Sequence, residues 1–201
     1  MADEIDFEGI KLQIPDTVYN PSEDSFLLAK YSRALHGRIL DIGCGSGIQA
    51  LLNGRCNPEN HVLGVDLNED AVATARKNAV LNNISNVEFR VSNLFSNVSG
   101  QFDGIIFNPP YLPTPETQKV LTKLNLAFDG GISGRSTTDQ FLDSFDSHLN
   151  SNGTVLLLQS TLSNPDRTVE ILFEKNYIAE IIDEEGFFFE KLYVLKAQKH
   201  K

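Results

Sequence analysis

Arg38-Ile39-Leu40-Asp41-Ile42 runs directly into Gly43-Cys44-Gly45-Ser46-Gly47, and the reading of that join decides the fold. The first five residues make a short strand, apolar apart from its start and one acid. The next five place glycine at every other position, where the backbone can turn tightly and a ligand can approach with no Cβ in the way. A helical pattern begins at Ile48. Working outward, His61 to Asp66 reads as a second strand (Val62, Leu63, Val65) that again ends in an acid. Asn68 caps a helix to about Asn82, with Ala71, Val72, Ala75 and Ala79 at helical spacing. Val87, Phe89 and Val91 alternate with Glu88 and Arg90, as in a half-buried strand. Phe102 to Phe107 is a strand that ends in Asn108-Pro109-Pro110-Tyr111.

The flanks continue the alternation. Ile5 to Ile14 reads as a hairpin turning near Gly9. Asn20-Pro21-Ser22-Glu23 reads as a helix start, with Asn20 as N-cap, Pro21 in the first position and Glu23 closing a capping box. That helix is expected to bury Phe26, Leu27 and Tyr31 and to stop near Gly37. Beyond Gly134 a helix should carry Phe141, Leu142, Phe145 and Leu149, followed by a buried strand over Thr154–Leu158 and a helix from Pro165 to Asn176. Two last strands start at Tyr177 and Phe187, the second with Phe187-Phe188-Phe189 read as core strand, a binding surface being the alternative. Strands alternating with helices over this length imply an open, mainly parallel sheet covered on both faces. Ligands of such sheets lie beyond the carboxyl ends of the strands, at the point where the strand order reverses.

With 201 residues, 41% of them hydrophobic, the chain makes one domain with a real core. Its balance is acidic, 27 Asp+Glu against 17 Lys+Arg and a formal net charge of −10. A protein that lives by gripping phosphate backbones needs clustered Lys and Arg, and no such run occurs. Nor does an apolar stretch long enough to cross a bilayer or a basic-then-apolar leader. Cys44 and Cys56 are too few for a disulfide framework or a zinc site, which fits a reducing compartment.

Four clusters at the expected strand ends carry chemistry. The glycine turn departs from the dinucleotide pattern G-x-G-x-x-G, because Ile48 stands at the sixth place, and it has no lysine for a phosphate. Asp41 would repel a pyrophosphate but suit a cationic group, so the sign of charge favours S-adenosylmethionine over NAD; a glycine turn without any ligand is the plainer alternative. Asp66 can accept both hydroxyls of a ribose, or simply cap the next helix. Asn93 and Leu94, after the third strand, could meet an adenine, although a loop asparagine is often only turn chemistry. Asn108 and the carbonyl of Pro109 offer two acceptors to one planar nitrogen, since proline supplies no N–H. Such a nitrogen is a poor nucleophile, and two acceptors would stabilise charge developing on it. Tyr111 could pack its ring on the target.

Together these clusters resemble the class I S-adenosylmethionine-dependent methyltransferases, and within them the HemK-type release-factor glutamine methyltransferases of archaea and eukaryotes. The resemblance covers nearly the whole chain, including Val18-Tyr19-Asn20-Pro21-Ser22-Glu23-Asp24-Ser25, Gly130-Gly131-Ile132-Ser133-Gly134-Arg135 and Phe188-Phe189-Glu190-Lys191-Leu192. It implies a Rossmann-like, seven-stranded sheet whose last strand is antiparallel, with residues 1–37 a hairpin and helix covering the cofactor pocket of a 38–201 core. It also implies that Asp41, Gly43 and Gly45 face the methionine part of the cofactor and Asp66 with Leu67 the ribose. Asn93 and Leu94 would face the adenine, and Tyr19 and Ser25 the near side of the pocket. Asn108 would serve both cofactor and chemistry, beside Pro109 and Tyr111. Relatives commonly carry Asp where this chain has Asn93. The implied reaction is methylation of the glutamine side-chain nitrogen in the Gly-Gly-Gln loop of a class I translation termination factor, in the cytoplasm. A small zinc-binding activator subunit would join edge-on, with Val87 to Val91 as the candidate edge; an ordinary edge strand is the alternative.

Other readings stay open on sequence. The Asn-Pro-Pro-Tyr turn also suits amino groups of adenine or guanine in nucleic acid, which the acidic balance disfavours; lysine methylation and a non-catalytic cofactor-binding role are further alternatives. Arg135 could hold a substrate loop or merely pair with acids. The connection from Leu112 to Gly131, with a short helix over Glu116–Leu124, is long enough to be a lid that orders on substrate.

Overall fold

The computed structural model describes residues 3–115, 117, 122 and 124–200. Strands β1 (Asp3–Phe7) and β2 (Ile10–Ile14) form an antiparallel hairpin that turns at Glu8-Gly9. There follow α1 (Glu23–Ser32), β3 (Arg38–Ile42), α2 (Ile48–Cys56), β4 (His61–Asp66), α3 (Glu69–Leu81), β5 (Val87–Val91) and β6 (Phe102–Phe107). The remainder is α4 (Ser136–Ser144), β7 (Leu149–Ser160), α5 (Pro165–Glu174), β8 (Tyr177–Gly186) and β9 (Lys191–Lys199). The main sheet has seven strands in the order β5-β4-β3-β6-β7-β9-β8, and β9, the last in the chain, runs antiparallel to both its neighbours. This is the Rossmann-like arrangement expected.

Side chains of successive strand residues point to opposite faces, and the core divides accordingly. Ile39 packs with α1 and α2 side chains such as Leu27, Leu28 and Leu51, while Leu40 and Ile42 pack with Phe107, Phe141 and Phe145 on the other face. Ile10, Leu12 and Ile14 of the hairpin enter the first cluster. The hairpin is fastened by two asparagines one turn apart, Asn78 on α3 and Asn82 just after its end. Asn82 exchanges hydrogen bonds with the Lys11 backbone (2.8 and 2.7 Å), and Asn78 accepts from Gln13 N–H at 2.9 Å. That attachment carries the following segment, Val18 and Tyr19, to the sheet's carboxyl edge.

Gly64 marks a close approach inside a strand. It stands opposite Phe89 in the β4–β5 register, and a Cβ there would lie 2.5 Å from the Phe89 ring. Gly64→Ala should therefore lower stability by about 1–3 kcal/mol through overpacking, read from the midpoint of urea denaturation; an unchanged midpoint would mean that the ring moves freely.

Three expectations need correction. The first helix begins at Glu23 with Ser22 as N-cap, and ends at Ser32 rather than near Gly37. Asn20 instead donates to Asp3 at 3.1 Å. At the other end, asparagines of the second helix and the turn after it take up the carbonyls: Asn53 donates to Ser32 and Leu35 (2.7 and 3.0 Å), Asn57 to Arg33 (2.8 Å) and Asn60 to Leu35 (2.9 Å). With those groups satisfied from outside, the helix has no need to continue. The helix carrying Phe141 and Leu142 ends at Ser144, a 3-10 turn holds Phe145, and Leu149 already belongs to β7. Phe187–Phe189 are not core strand. Gly186 pairs with Lys191, and Phe187 N–H bonds the Glu190 carbonyl at 2.7 Å, so the three rings form a hairpin tip in water. The short helix expected over 116–124 falls largely outside the described residues. Among the described residues no helix is long and apolar enough to cross a membrane.

Candidate active site

The strand order reverses between β3 and β6, which pair in register from Ile39↔Gly104 to Ile42↔Phe107. Beyond their carboxyl ends opens a cleft of about 340 Å³. Val18 and Tyr19 close one side, Asp24 and Ser25 of α1 another, and the glycine turn forms the floor. Asp66 and Leu67 after β4, Asn93 and Leu94 after β5, and Asn108 and Pro109 after β6 complete it, with Leu126 and Asp129 across from them.

The floor is built for approach. Gly45 has φ +53°, and a Cβ added there would meet nothing within 4 Å, so the space above it is free for a ligand. Its N–H donates to Asp66 Oδ2 at 2.9 Å, while Asp66 Oδ1 accepts from Asn68 N–H at 2.8 Å. These bonds fix the plane of the carboxylate. Burial nevertheless pushes its pKa upward. Asp41 is buried (1% exposed) and, among the described residues, accepts only a long bond, 3.2 Å, from Ala50 N–H. Burial, with Asp66 adding to it, raises the Asp41 carboxyl to about 8. A buried acid so weakly partnered is stabilised as an anion only if a cation arrives.

On the opposite wall Asp24 organises three elements. Its Oδ1 accepts from the Tyr19 hydroxyl (2.8 Å), from Ser25 N–H (2.6 Å) and from Ser25 Oγ (3.1 Å). Its Oδ2 accepts from Asn108 Nδ2 at 2.9 Å. Because a carboxylate offers no proton, the Asn108 amide cannot turn its oxygen toward Asp24; the oxygen points the other way, and it is buried without a hydrogen-bond partner among the described residues. Gln49 repeats the pattern: Nε2 donates to the Ser25 carbonyl at 2.9 Å and Oε1 has no partner. The cleft is thus lined with acceptors that lack donors. Burying such groups is costly unless a ligand pairs them, so the complementary ligand is rich in N–H and O–H and positively charged in part. A methylsulfonium amino acid joined to adenosine meets that description.

The structure gathers Tyr19, Ser25, Asp41, Gly43, Gly45, Asp66, Leu67, Asn93, Leu94, Asn108 and Pro109 around this one cleft. Tyr111 stands beside it, half-buried, its hydroxyl pushed well above the usual range by burial and by the nearby charges of Asp24 and Glu190. Burial and Asp24 act on Tyr19 in the same direction. Leu94 is held at φ +47° by Ser92, whose Oγ donates to the Leu94 carbonyl at 2.7 Å and accepts from Asn97 N–H at 2.9 Å. Arg135 does not reach the cleft. It is buried and donates to the Ser163 and Asn164 carbonyls (both 2.7 Å), Thr168 and Asp139, tying α4 to the start of α5. Sequence reasoning missed the parts played by Asp24 and Gln49. Asp24 was visible only as one acid among four consecutive polar residues, Ser22 to Ser25, and no local pattern reveals a partner 84 positions away.

An open, mainly parallel sheet with an acceptor-lined cleft at its reversal point defines a Rossmann-like ligand-binding enzyme fold. Residues 22–127 match the family described as Methyltransferase small domain, and the chain belongs to that family. It is 41% identical over 194 residues, 96% of its length and 98% of the relative's, to a Methanocaldococcus jannaschii protein provisionally named a protein N5-glutamine methyltransferase. It is 28% identical over 168 residues to human Methyltransferase HEMK2, covering 79% of this chain and 78% of that one. Among solved structures it superposes on the Encephalitozoon cuniculi (E. cuniculi) Mtq2–Trm112 complex, described as responsible for methylation of the termination factor eRF1. The TM-score is 0.72 at 23% identity, over 91% of this chain and 99% of that one.

Proposed function

We propose that this methyltransferase uses S-adenosyl-L-methionine to methylate the side-chain amide nitrogen (N5) of the glutamine in the Gly-Gly-Gln motif of a class I translation termination factor. The observation that carries the reading is the buried, unpartnered Oδ1 of Asn108, aimed away from Asp24 as a fixed acceptor for an N–H. The names of the M. jannaschii and human relatives support the glutamine and the HemK-type branch.

The residues present fit the cofactor. Asp41 would take an ammonium, Asp66 the ribose hydroxyls and Asn93 with Leu94 the base, with Gly45 leaving room for close approach. When bound, the cofactor supplies an electrophilic methyl group on a cationic sulfur. The chain's own work is positioning. Asn108 Oδ1 and the Pro109 carbonyl each accept one N–H of the target amide, which draws the nitrogen lone pair out of conjugation and favours the charge that builds up on it. Tyr111 offers its ring to the rest of the target side chain. Holding the nitrogen in line can supply up to roughly 7–11 kcal/mol of the barrier.

The elevated Asp41 pKa gives a pH dependence with a definite sign. In the empty cleft Asp41 holds its proton until the pH approaches about 8; a bound ammonium requires the anion, so binding below that pH expels the proton. Cofactor affinity should rise by up to about tenfold per pH unit from pH 6 toward 8 and fall again at higher pH as the cofactor's own ammonium loses its proton. Asp41→Asn should flatten the profile. Calorimetry in buffers of different ionisation enthalpy measures both the slope and the proton released; a flat profile for the unsubstituted protein would remove Asp41 from the ammonium site.

A small zinc-binding activator subunit is proposed as partner, at the free edge of the sheet. There β5 has only β4 as neighbour, and Val91, Val80 and Leu81 expose apolar side chains nearby. The complex would act in the cytoplasm. The deciding assay is transfer of a labelled methyl group to the termination factor, its Gln→Ala variant, bulk RNA and DNA, with and without the activator. Label in the factor that disappears in the Gln→Ala variant is expected. Label in RNA and none in the factor would favour the nucleic-acid reading instead.

A further inference from the structure

The β8–β9 hairpin tip exposes three consecutive aromatic residues, Phe187, Phe188 and Phe189, at 40, 93 and 85% of their surface. Leaving a phenylalanine in water forgoes roughly 1.5–3 kcal/mol of burial, and such a group on a folded surface marks a site of interaction. The tip is a built platform. Phe187 N–H closes the turn on the Glu190 carbonyl, Ser160 Oγ donates to Glu190 Oε2 at 2.5 Å, and Lys191 N–H donates to Thr161 Oγ1 at 3.1 Å. The Phe188 and Phe189 rings meet edge to face, with centroids 4.6 Å apart. A preorganised surface of this kind loses little freedom on binding.

Its location links it to the cleft. Ser160 is the last residue of β7, the strand beside β6, and β6 delivers Asn108. The Phe tip, between β8 and β9, and the Asn-Pro-Pro-Tyr turn therefore leave the same end of the sheet, with β7 between them. Its surroundings specify charge. The neighbouring arm carries Asp183, Glu184 and Glu185, and the turn itself Glu190; of the cations, Lys191 is paired with Glu184 at 3.0 Å. Phosphate and anionic lipid are repelled by that set, and a second copy of this chain would bring the same acids face to face. What remains is a protein surface combining apolar and basic side chains.

We propose that Phe188 and Phe189 are the docking platform for the methyl-accepting protein, seating an apolar side chain of a basic surface that flanks the acceptor loop. The inference rests on the protein-substrate reading above and assigns that substrate a second point of contact outside the cleft.

The test is steady-state methylation of the whole termination factor by the enzyme with its activator, comparing the unsubstituted protein, the double variant Phe188→Ala/Phe189→Ala and the double variant Phe188→Leu/Phe189→Leu. The alanine pair should raise KM for the factor about 10- to 100-fold with kcat and cofactor Kd unchanged, as loss of contacts equal in ground and transition states requires; the leucine pair should restore most of the affinity. An unchanged KM overturns the proposal, and so does a fall in kcat at constant KM, which would make the turn a support for the site. Self-association of the unsubstituted protein, abolished by the alanine pair in sedimentation, also overturns it in favour of a dimer contact. Failure of the function reading looks different: the unsubstituted enzyme would then leave the factor unlabelled.

Discussion

Asn108→Ala should bind the cofactor almost as the unsubstituted protein does and turn over on the order of 10³-fold more slowly, the usual result of deleting a preorganised group that meets developing charge. The two readouts separate because of how the cleft is divided. Asp41, Asp66 and the glycine turn line one part of it, and among the described residues none of them bonds to the Asn108 side chain, which donates to Asp24. The fold should tolerate the change, since the residue lies at a strand end and alanine leaves only Asp24 without its fourth donor. Asn108→Gln sharpens the result. It keeps the amide but advances it by one methylene, and a misplacement of about 1 Å can cost on the order of 10²-fold. A glutamine variant as active as the parent would mean that the amide is a hydrogen-bond formality and that Pro109 does the positioning. Lost cofactor binding in the alanine variant would make Asn108 a structural residue of the pocket.

Much of this site was legible because its parts sit where strand periodicity stops. Asp66 and Asn108 follow mostly apolar strands, Asn93 an alternating one, and Asp41 is the acid near the end of its strand; a parallel sheet brings such ends together without any further information. Residues that act along the chain were also readable: Asn68 caps α3 by accepting from Asp70 N–H at 3.0 Å, as its position before the helix suggests. What failed was decided by groups distant in sequence. The first helix stops where Asn53, Asn57 and Asn60 take up the carbonyl of its last residue, Ser32, and those of Arg33 and Leu35 just after it. The three phenylalanines read as core because composition cannot see a four-residue turn closing between Gly186 and Lys191. Arg135, weighed as a substrate contact, spends its guanidinium on carbonyls 28 and 29 positions away. Local chemistry located the cleft; its orientation depended on side chains meeting across the fold.

Asp24→Asn is the most informative substitution, because it changes no shape and should still disable the enzyme. In the parent, Oδ1 receives the Tyr19 hydroxyl and both Ser25 donors, and Oδ2 receives Asn108 Nδ2. An asparagine has one oxygen for these two sets. Three donors outweigh one, so its oxygen remains toward Tyr19 and Ser25, and its NH₂ comes to face Asn108. Two NH₂ groups cannot bond each other, and the Asn108 amide therefore rotates to give its oxygen to residue 24. The atom turned toward the target nitrogen is then an NH₂, a donor where an acceptor is required. That loss and the new mismatch should together lower kcat about 10²- to 10³-fold, with cofactor affinity changed by less than about tenfold since Asp41 and Asp66 are untouched. Asp24→Ala should do less harm than the isosteric change, because it frees the Asn108 amide to turn either way instead of fixing it backwards. The order of activities is the result to measure: parent, then alanine, then asparagine. If the asparagine variant equals the parent, the orientation of Asn108 is set elsewhere. If alanine is the worse of the two, Asp24 serves mainly to hold Tyr19 and the start of α1 against the cleft.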